Sequence, residues 1–531
     1  MNRLLTTAVI GLAGMQGVAM AATDSRPKLV VGIMVDQLRT DYLENLKDLL
    51  SEGGFRRLME TGVYLKDVDF HNPEGDAASA SAIIQTGSYP RFTGITGEKV
   101  YDPSIKALVP VFQDPAYIGN FTEETYSPAA LRVTTISDEV DIENKGKGKI
   151  HSIAPEAAQA IVLAGHNATS AFWINDESGR WSSTTYYSNP PASIQNRNYN
   201  SPLISRLDTM KWTPLHKGEP YPDVSSQEIK DGFKFNFPRS DRDVFLLYKK
   251  SPYLNSDISE VASEYVSGLN IGKNPESIDI LNIGYSLAPY PATDIENYKY
   301  PLQDSYLRLD KDLENLFTTL DKYVGKDNFL VYLVSTGYFT EPTADALKYR
   351  LPGGTFSVKR SMSLLNAYLS AKYGNGAYID QYTGNHIYLN KGLIEEKGLE
   401  LKKVSEDARD FFVKMSGVAD AYTENDLMSP ALAQLEKHRL SVDPKTSGDI
   451  IVEFNPGWTI VDDTTYPSRI QENKNTAYLF PAFIMGSGIS EDVIETTVDA
   501  TSIAPTIANI LRIRAPNSVV AKPLNIKERK D

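Results

Sequence analysis

The side chains best suited to chemistry are carboxylates and hydroxyls that follow a buried strand or begin a helix. Asp36 ends the apolar run KLVVGIMVD at 28–36. Two structural roles are open for a carboxylate at the end of such a strand: capping a turn or pairing with Arg39. Asp76 precedes an alanine- and serine-rich helix that carries Ser79, and we expect it to cap that helix because Asp is a favoured N-cap residue.

Cysteine and histidine, which zinc prefers, are scarce. The chain has no cysteine among its 531 residues, which excludes disulfides, thiolate metal sites and a cysteine nucleophile. His71 and Glu74 are the best-placed pair for an adventitious metal, whereas His166 and His386 are interpreted as packing or surface residues. The six histidines are His71, His151, His166, His216, His386 and His438.

The elements that must position these residues alternate between strands and helices. Short apolar runs rich in β-branched residues at 29–35, 277–286 and 329–335 predict buried strands. Apolar residues at helical spacing over 309–320, with charges opposite, predict an amphipathic helix between the last two strands. This alternation predicts an α/β fold with a mainly parallel sheet and helices on both faces.

Two segments are predicted to be insertions into this alternation, at about 170–270 and about 340–460. The first is rich in Tyr, Asn, Ser and Pro, and we expect it to lie over the carboxyl edge of the sheet, where α/β proteins usually place their sites. Its aromatic residues either rim a binding groove or pack as core, and the sequence leaves both interpretations open. These aromatic residues are Trp173, Trp181, Tyr186 and Tyr187.

Residues 1–21 predict a cleaved signal peptide. Arg3 supplies the positive charge, and a short apolar core and a small-x-small cleavage site follow it. The apolar run is well short of the ~20 residues that a membrane span needs, and no other segment is long and apolar enough. We therefore expect export to the periplasm or the extracellular space, a folded domain over 22–525, a tail over 526–531 and no transmembrane segment.

The charge balance narrows the range of partners. The formal net charge is −14, which argues against nucleic acid and against an anionic membrane surface. A composition of 41% hydrophobic and 23% charged residues is ordinary for a globular protein that buries a large core.

Several segments, taken in order, resemble the alkaline phosphatase superfamily, in particular the bacterial alkaline phosphatases and the type I phosphodiesterases/nucleotide pyrophosphatases. They include KLVVGIMVD at 28–36, TGSYPRFTGITGEKVYD at 86–102, LAGHNATSAFW at 163–173 and TSIAPTIANIL at 501–511. The resemblance implies an α/β/α sandwich with cap insertions. It also implies a phosphoester hydrolase with two zinc ions and a Thr or Ser nucleophile at the start of a helix.

The resemblance places unsuitable residues at most of that family's working positions. The first zinc ligand falls on Asp36, but the nucleophile falls on Ala77, whose methyl group cannot attack phosphorus. The other ligand positions fall on Pro289, Thr293, Thr336 and Gly337. The window 455–490, which should supply the last histidine, contains none. Because a zinc site needs three or four protein ligands, we expect no metal and no cofactor, with Asp36 the only ligand-type residue retained.

The positions that hold phosphate in the family are changed as well. The family's Lys-x-Arg pair falls on Glu156 and Ala158, and the Asn that follows the family's Gly-Ile turn falls on Glu98. A carboxylate in place of a phosphate-binding cation repels the substrate.

The sequence therefore predicts a secreted pseudoenzyme, a phosphatase-like scaffold that binds a protein or glycan partner without turnover. The alternative is a phosphoric monoester or diester hydrolase with a rearranged site that uses Asp36, Asp76, Ser79 or His71 in new roles. A third interpretation is a subunit of an envelope assembly.

Overall fold

The structure is a computed structural model of the chain. It describes residues 26–291, 297–340, 353–429, 435–455, 457–464, 469–471 and 474–527. The predicted signal peptide at 1–21, the site position Thr293 and residues 528–531 of the predicted tail lie outside the described residues.

A ten-stranded sheet forms the centre of the molecule. Its strands are Leu29–Asp36 (β1), Val63–Leu65 (β2), Gly119–Asn120 (β3), Ile150–Ile153 (β4), Ser170–Ile174 (β5), Trp181–Thr184 (β6), Asp279–Ser286 (β7), Phe329–Ser335 (β8), Ala482–Gly486 (β9) and Asp492–Ile494 (β10). They lie in the order β10-β2-β9-β8-β1-β7-β4-β5-β6-β3. The five central strands, β8 to β5 in this order, run parallel. The predicted α/β fold with a mainly parallel sheet is confirmed.

Helices cover both faces of the sheet because its central strands are apolar on both sides. All eight residues of β1 are buried, and they alternate between two hydrophobic cores. Helices Pro252–Gly268 and Lys299–Tyr323 contribute to one core. Helices Ala77–Thr86 and Ile503–Leu511 contribute to the other.

The remaining helices include two, Ile136–Asn144 and Ala157–Ala164, that also contribute to the second core. The remaining described helices are Thr40–Asn45, Phe55–Thr61, Pro90–Thr93, Ile136–Asn144, Ala157–Ala164, Ala192–Tyr199, Leu203–Arg206, Ser226–Asp231, Val244–Lys249, Val358–Tyr373, Lys391–Glu396, Leu401–Phe412, Glu424–Met428 and Glu436–Ser441. In the described part of the chain, no helix combines the length and the apolar character needed to cross a membrane.

A second unit, which we call the cap unit, is formed by the described residues of 354–462. Its four-stranded antiparallel sheet has the order Ile379–Thr383, His386–Leu389, Ile450–Phe454 and Val418–Thr423. Two amphipathic helices pack on this sheet and give the unit its own core. The insertion boundaries near 170–270 and 340–460 stay predictions; β5 and β6, which lie within the first range, join the central sheet.

Short strand pairs connect loops around the central sheet. They are Val68–Asp69 with Val498–Asp499, Lys99–Asp102 with Ala107–Pro110, Lys211–Trp212 with Phe235–Asn236, and Phe339–Thr340 with Lys474–Asn475. The last pair brings a segment that follows the cap unit next to the end of β8.

Candidate functional site

The site forms where β1, β7 and β8 end at the carboxyl edge of the sheet. Asp36, the last residue of β1, lies level with Ser286 of β7, and Thr336 directly follows β8. The Thr336 hydroxyl donates to Asp36 Oδ1 over 2.9 Å and accepts from the Gln37 backbone N–H over 3.0 Å. Thr336 stands at a position where the resemblance predicts a second metal ligand. Its hydroxyl instead fixes the rotamer of Asp36.

Asp36 does not pair with Arg39. The Arg39 guanidinium binds the carboxylate of Asp41 and lies 3.5 Å from the centre of the Tyr478 ring. The interpretation that Asp36 pairs with Arg39 is wrong, because the side chain of Arg39 leaves the site and packs against aromatic rings.

Burial and a tyrosine define the electrostatics of Asp36. Burial raises the pKa of its carboxyl, and this effect outweighs the opposing influence of Lys250, the hydrogen bonds from Tyr338 and Thr336, and Lys474. Burial, assisted by the charge of Asp36, also raises the pKa of the Tyr338 phenol well above its ordinary value. Tyr338 is thus a neutral phenol close to Asp36.

The helix that would carry a nucleophile begins at Ala77, which is buried. The Asp76 carboxylate accepts from the Ser79 backbone N–H over 2.9 Å, and the Ser79 hydroxyl accepts from the Asp76 N–H over the same distance. The prediction that Asp76 caps this helix is confirmed. Because the hydroxyl of Ser79 is fully buried in that capping box, it does not replace the missing nucleophile.

The turn after β8 is filled by a neighbouring ring. Gly337 has a φ of 75°, and a Cβ atom built on it would lie 2.1 Å from Cδ2 of Phe70. Phe70 is itself buried in the core beside the central sheet. No side chain can occupy position 337 unless Phe70 moves, so the space for a histidine is closed. Pro289 lies in the loop after β7, at the border of the described residues.

The two carboxylates predicted at phosphate-holding positions both lie near the start of this helix. The backbone N–H of Glu98 donates to Asp76 Oδ2 over 2.7 Å. Burial, then the charges of Glu156 and Asp76, raises the pKa of Glu98 to about 8. Glu156 precedes helix Ala157–Ala164 and forms an ion pair with Lys249 at 2.7 Å.

The histidines have partners of their own and do not gather. His71 Nδ1 lies 3.2 Å from Asp69, and His386 Nε2 lies 2.5 Å from Glu74. The structure therefore does not join His71 and Glu74 as the pair that the sequence suggested. Among the residues that the structure describes, no group of three or more His, Asp or Glu side chains could hold a metal ion.

The aromatic residues of the first predicted insertion are core residues. Trp173, Trp181 and Tyr187 are buried, and Tyr186 packs against the same core as Trp173. The Trp173 indole N–H donates to Glu124 over 2.8 Å. Of the two interpretations that the sequence left open, core packing describes these four residues.

Most of the chain matches a known protein family. The model of the family "Type I phosphodiesterase / nucleotide pyrophosphatase" matches residues 30–478. The chain belongs to this family.

Two proteins of similar sequence are named as alkaline phosphatases. The alkaline phosphatase PafA of Elizabethkingia meningoseptica is 27% identical over 547 residues, which cover 97% of each chain. The alkaline phosphatase PhoV of Synechococcus elongatus is 26% identical, over 94% of this chain and 92% of its own. The crystal structure of wild-type PafA has a TM-score of 0.80 with 25% identity, and covers 94% of this chain and 98% of that one.

The residues of this family member do not fit the two zinc ions that the resemblance implies. Asp36 is one carboxylate that already accepts a hydrogen bond from Thr336, and Ala77 and Gly337 offer no donor atom. Position 337 also lacks room for one. A zinc site needs three or four ligands of nitrogen, oxygen or sulfur, and the described residues at these positions supply one.

Sequence reasoning missed the residues that fill the centre, namely Phe70, Tyr338, Lys249 and Lys474. Tyr338 directly follows Thr336 and Gly337, and Lys474 lies within 455–490, where the resemblance implies a histidine. Their positions in the sequence could therefore have identified both residues. Phe70 and Lys249 come from separate elements, and only the folded chain brings them to the site.

Proposed function

We propose that this protein is an exported, non-catalytic member of its family that binds a protein or glycan partner and does not hydrolyse phosphoesters. The observation that carries the proposal is the start of helix Ala77–Thr86, where Ala77 stands at the position that the resemblance assigns to the nucleophile. Catalysis by this family's chemistry needs an oxygen at that point, and Ser79 is held in the helix cap.

The charges around Ala77 support the same proposal. Glu98 and Glu156 place carboxyl groups at positions that the resemblance assigns to phosphate binding, and Asp76 lies beside them. Binding sites for phosphoryl groups supply cations and N–H donors, since these stabilise the charge that develops in the transition state. The carboxyl groups at these positions supply no cation for that purpose.

The alternative, a hydrolase with a rearranged site, would need Asp36, Asp76, Ser79 or His71 as new catalytic groups. Asp36 is held by Thr336 and Tyr338, and Asp76 and Ser79 cap each other. His71 is bound to Asp69. Each candidate therefore already has a structural partner, which favours the non-catalytic proposal.

Purified mature protein, treated with zinc and then desalted, tests the proposal directly. Metal content is measured by mass spectrometry, and turnover of p-nitrophenyl phosphate and bis-p-nitrophenyl phosphate is compared with that of the Asp36→Ala variant. We expect substoichiometric metal and identical background rates for both proteins. Stoichiometric zinc, together with turnover that Asp36→Ala abolishes, would overturn the proposal and establish the hydrolase.

Export and partner are separate parts of the proposal. Cell fractionation and N-terminal sequencing of the mature protein test cleavage after residue 21, with retention of residues 1–21 as the contrary result. Glycan arrays and crosslinking in intact envelopes test the two partner classes, and crosslinking into a stable multiprotein complex would favour the envelope-assembly interpretation.

A further inference from the structure

The cap unit contains a surface cavity of its own, outside the centre described above. Its volume is about 570 Å³, and its walls come from the end of helix Leu401–Phe412, strand Val418–Thr423 and helix Glu424–Met428. Sites for small ligands commonly enclose about 300–1,000 Å³, so the cavity has room for one. None of its lining residues stands at a position that the resemblance assigns to catalysis or phosphate binding.

Charged side chains of both signs line the cavity. They are Arg409, Lys414, Asp410, Asp420 and Asp426. Among the described residues, no three carboxylates or histidines come close enough together to hold a metal ion, so a bare cation does not match this lining. The mixture of cations and carboxylates also matches neither a strongly acidic nor a strongly basic ligand. A neutral ligand with several polar groups fits best.

Arg409 holds two of the carboxylates in place. Its Nη1 donates to Asp426 Oδ2 over 2.6 Å, and its Nε and Nη2 both donate to Asp410 Oδ1, over 3.0 and 2.7 Å. Thr423 donates to the same oxygen of Asp426 through its N–H and its hydroxyl, each over 2.8 Å. Within the described part of the chain, the second oxygen of Asp410 and of Asp426 accepts no hydrogen bond. These oxygens are already positioned to accept from a ligand hydroxyl.

Asp420 and Lys414 add two exposed groups to the lining. Asp420 Oδ1 accepts from the Ala421 N–H over 2.8 Å, which orients the carboxylate. The Lys414 ammonium has no partner among the residues that the structure describes. Because a hydroxyl group both donates and accepts hydrogen bonds, a ligand rich in hydroxyls can bind the carboxylates and the ammonium group together.

The same cavity has an apolar part, to which Val413, Leu435 and the Tyr422 ring contribute. The ring of Tyr422 is fixed, because its hydroxyl donates to Glu453 over 3.0 Å and its centre lies 5.2 Å from that of the His438 ring. A pyranose carries hydroxyl groups around its edge and apolar C–H groups on its faces. A sugar ring therefore matches both the polar and the apolar parts of the lining.

We infer that this cavity of the cap unit binds a neutral oligosaccharide, whose hydroxyl groups bond to the carboxylates and to Lys414. The inference rests on the proposed function in its glycan form, and it gives that partner a chemical class and a site. Acidic sugars are disfavoured by the three carboxylates of the lining and by the net charge of −14.

Isothermal titration calorimetry of the full mature chain tests the inference. The probes are neutral trisaccharides, namely maltotriose, cellotriose, laminaritriose, mannotriose and triacetylchitotriose, with trigalacturonic acid as the charged comparison. We expect saturable binding of at least one neutral trisaccharide, and binding of trigalacturonic acid that is weaker by about tenfold or more. Absence of binding by every neutral trisaccharide would overturn the inference, as would trigalacturonic acid that binds as tightly as any of them.

Variants at the exposed charges test the location. Lys414→Ala and Asp420→Ala should each weaken binding of the trisaccharide that wild type binds by about tenfold, the effect of losing one charge-assisted hydrogen bond. Lys402→Ala and Glu396→Ala are the matched controls, since they remove exposed charges of the cap unit outside the cavity, and they should bind like wild type. Thermal melting checks that each variant is folded. Wild-type affinity in both Lys414→Ala and Asp420→Ala would overturn the inference.

Val413→Trp tests the cavity itself, because Val413 lies in the lining and is partly exposed, so that a large ring there takes up space in the cavity. We expect this variant to lose saturable binding, and unchanged affinity would overturn the inference.

Failure of this inference and failure of the proposed function give different results. Binding of a neutral trisaccharide that the changes at Lys414, Asp420 and Val413 do not weaken would contradict the site and leave the proposed function intact. Turnover that Asp36→Ala abolishes would contradict the proposed function, and trisaccharide binding measured in that same variant would still support the site.

Discussion

The two ends of the site differ in what they have kept. At the start of helix Ala77–Thr86, Asp76 and Ser79 form a complete capping box, so the backbone geometry of a helix-start nucleophile is present without its oxygen. At the turn after β8, the Phe70 ring fills the space beside Gly337, where the resemblance implies a ligand side chain. The first region has the framework that such a nucleophile needs, whereas the second is closed by packing. The residues that shape the backbone and the residues that carry chemistry can therefore differ independently of each other.

The largest expected effect on stability comes from adding a side chain to the turn at Gly337. Gly337→Ala should lower the free energy of unfolding by about 3 kcal/mol or more, because the new methyl group meets the Phe70 ring in addition to straining a backbone at φ 75°. Chemical denaturation measures the loss.

Gly488 is the matched control, since it has the same φ of 75° but no atom within 4 Å of a Cβ built on it. Gly488→Ala should cost only the backbone strain, about 1 kcal/mol. Equal losses for the two variants would show that Phe70 does not close the turn.

The second effect depends on pH and tests the carboxyl cluster at the capped end. The folded pKa of Glu98 is about 8, against an ordinary value of 4.5. Between these values the folded state binds a proton that the unfolded state releases, so Glu98 makes wild type less stable as pH rises from about 5 to 8. Glu98→Gln removes this dependence, and we expect its stability advantage over wild type to grow across that window by about 2 kcal/mol. The limit for one proton is ~1.4 kcal/mol per pH unit, or about 4 kcal/mol over the three units.

Unfolding curves at pH 5, 6, 7 and 8 measure this difference. Glu52→Gln, a change at an exposed carboxyl, serves as the control and should give a constant difference from wild type. A Glu98→Gln advantage that does not change with pH would mean that Glu98 is not a buried, protonated acid.

The capping box itself should contribute a moderate amount. Asp76→Ala removes the acceptor for the Ser79 and Glu98 N–H groups and should cost about 1–2 kcal/mol, the usual range for an N-cap. Asp76→Asn keeps one side-chain oxygen and should lose less. If Asp76→Ala unfolds at the same denaturant concentration as wild type, the framework at this end does not depend on its cap.

The smallest effect is expected where the oxygen alone is restored. Ala77→Thr places a hydroxyl at the first position of a capped helix, and we expect a stability change below about 1 kcal/mol. Turnover of p-nitrophenyl phosphate should remain at the wild-type background, because one hydroxyl does not rebuild the metal centre. Zinc-dependent turnover in Ala77→Thr would show that zinc can bind beside the turn at Gly337.

The sequence predicts the framework better than the centre. The apolar run at 28–36 and the Asp before Ala77 have local signatures, strand hydrophobicity and N-cap preference, and both appear as predicted. The resemblance to a family also points to positions, such as Gly337, where the expected donor atom is absent. It cannot show what replaced them, because Phe70 and Lys249 reach the centre from loops and helices distant in the chain.

Two interpretations failed for a related reason. Arg39 lies three residues from Asp36, but its guanidinium binds Asp41, two residues away, and packs on the Tyr478 ring. His71 and Glu74 lie three residues apart, yet Glu74 reaches His386 of the cap unit, and His71 turns to Asp69. Nearness in the chain therefore does not by itself decide which of several available groups a side chain contacts.

Anomalous diffraction at the zinc absorption edge, from crystals soaked in zinc chloride, tests the central claim most directly. We predict no ordered zinc between Asp36, Ala77 and Gly337, with the Lys249 ammonium still bound to Glu156. Two ordered zinc peaks roughly 4 Å apart, one of them in contact with Asp36, would contradict the account.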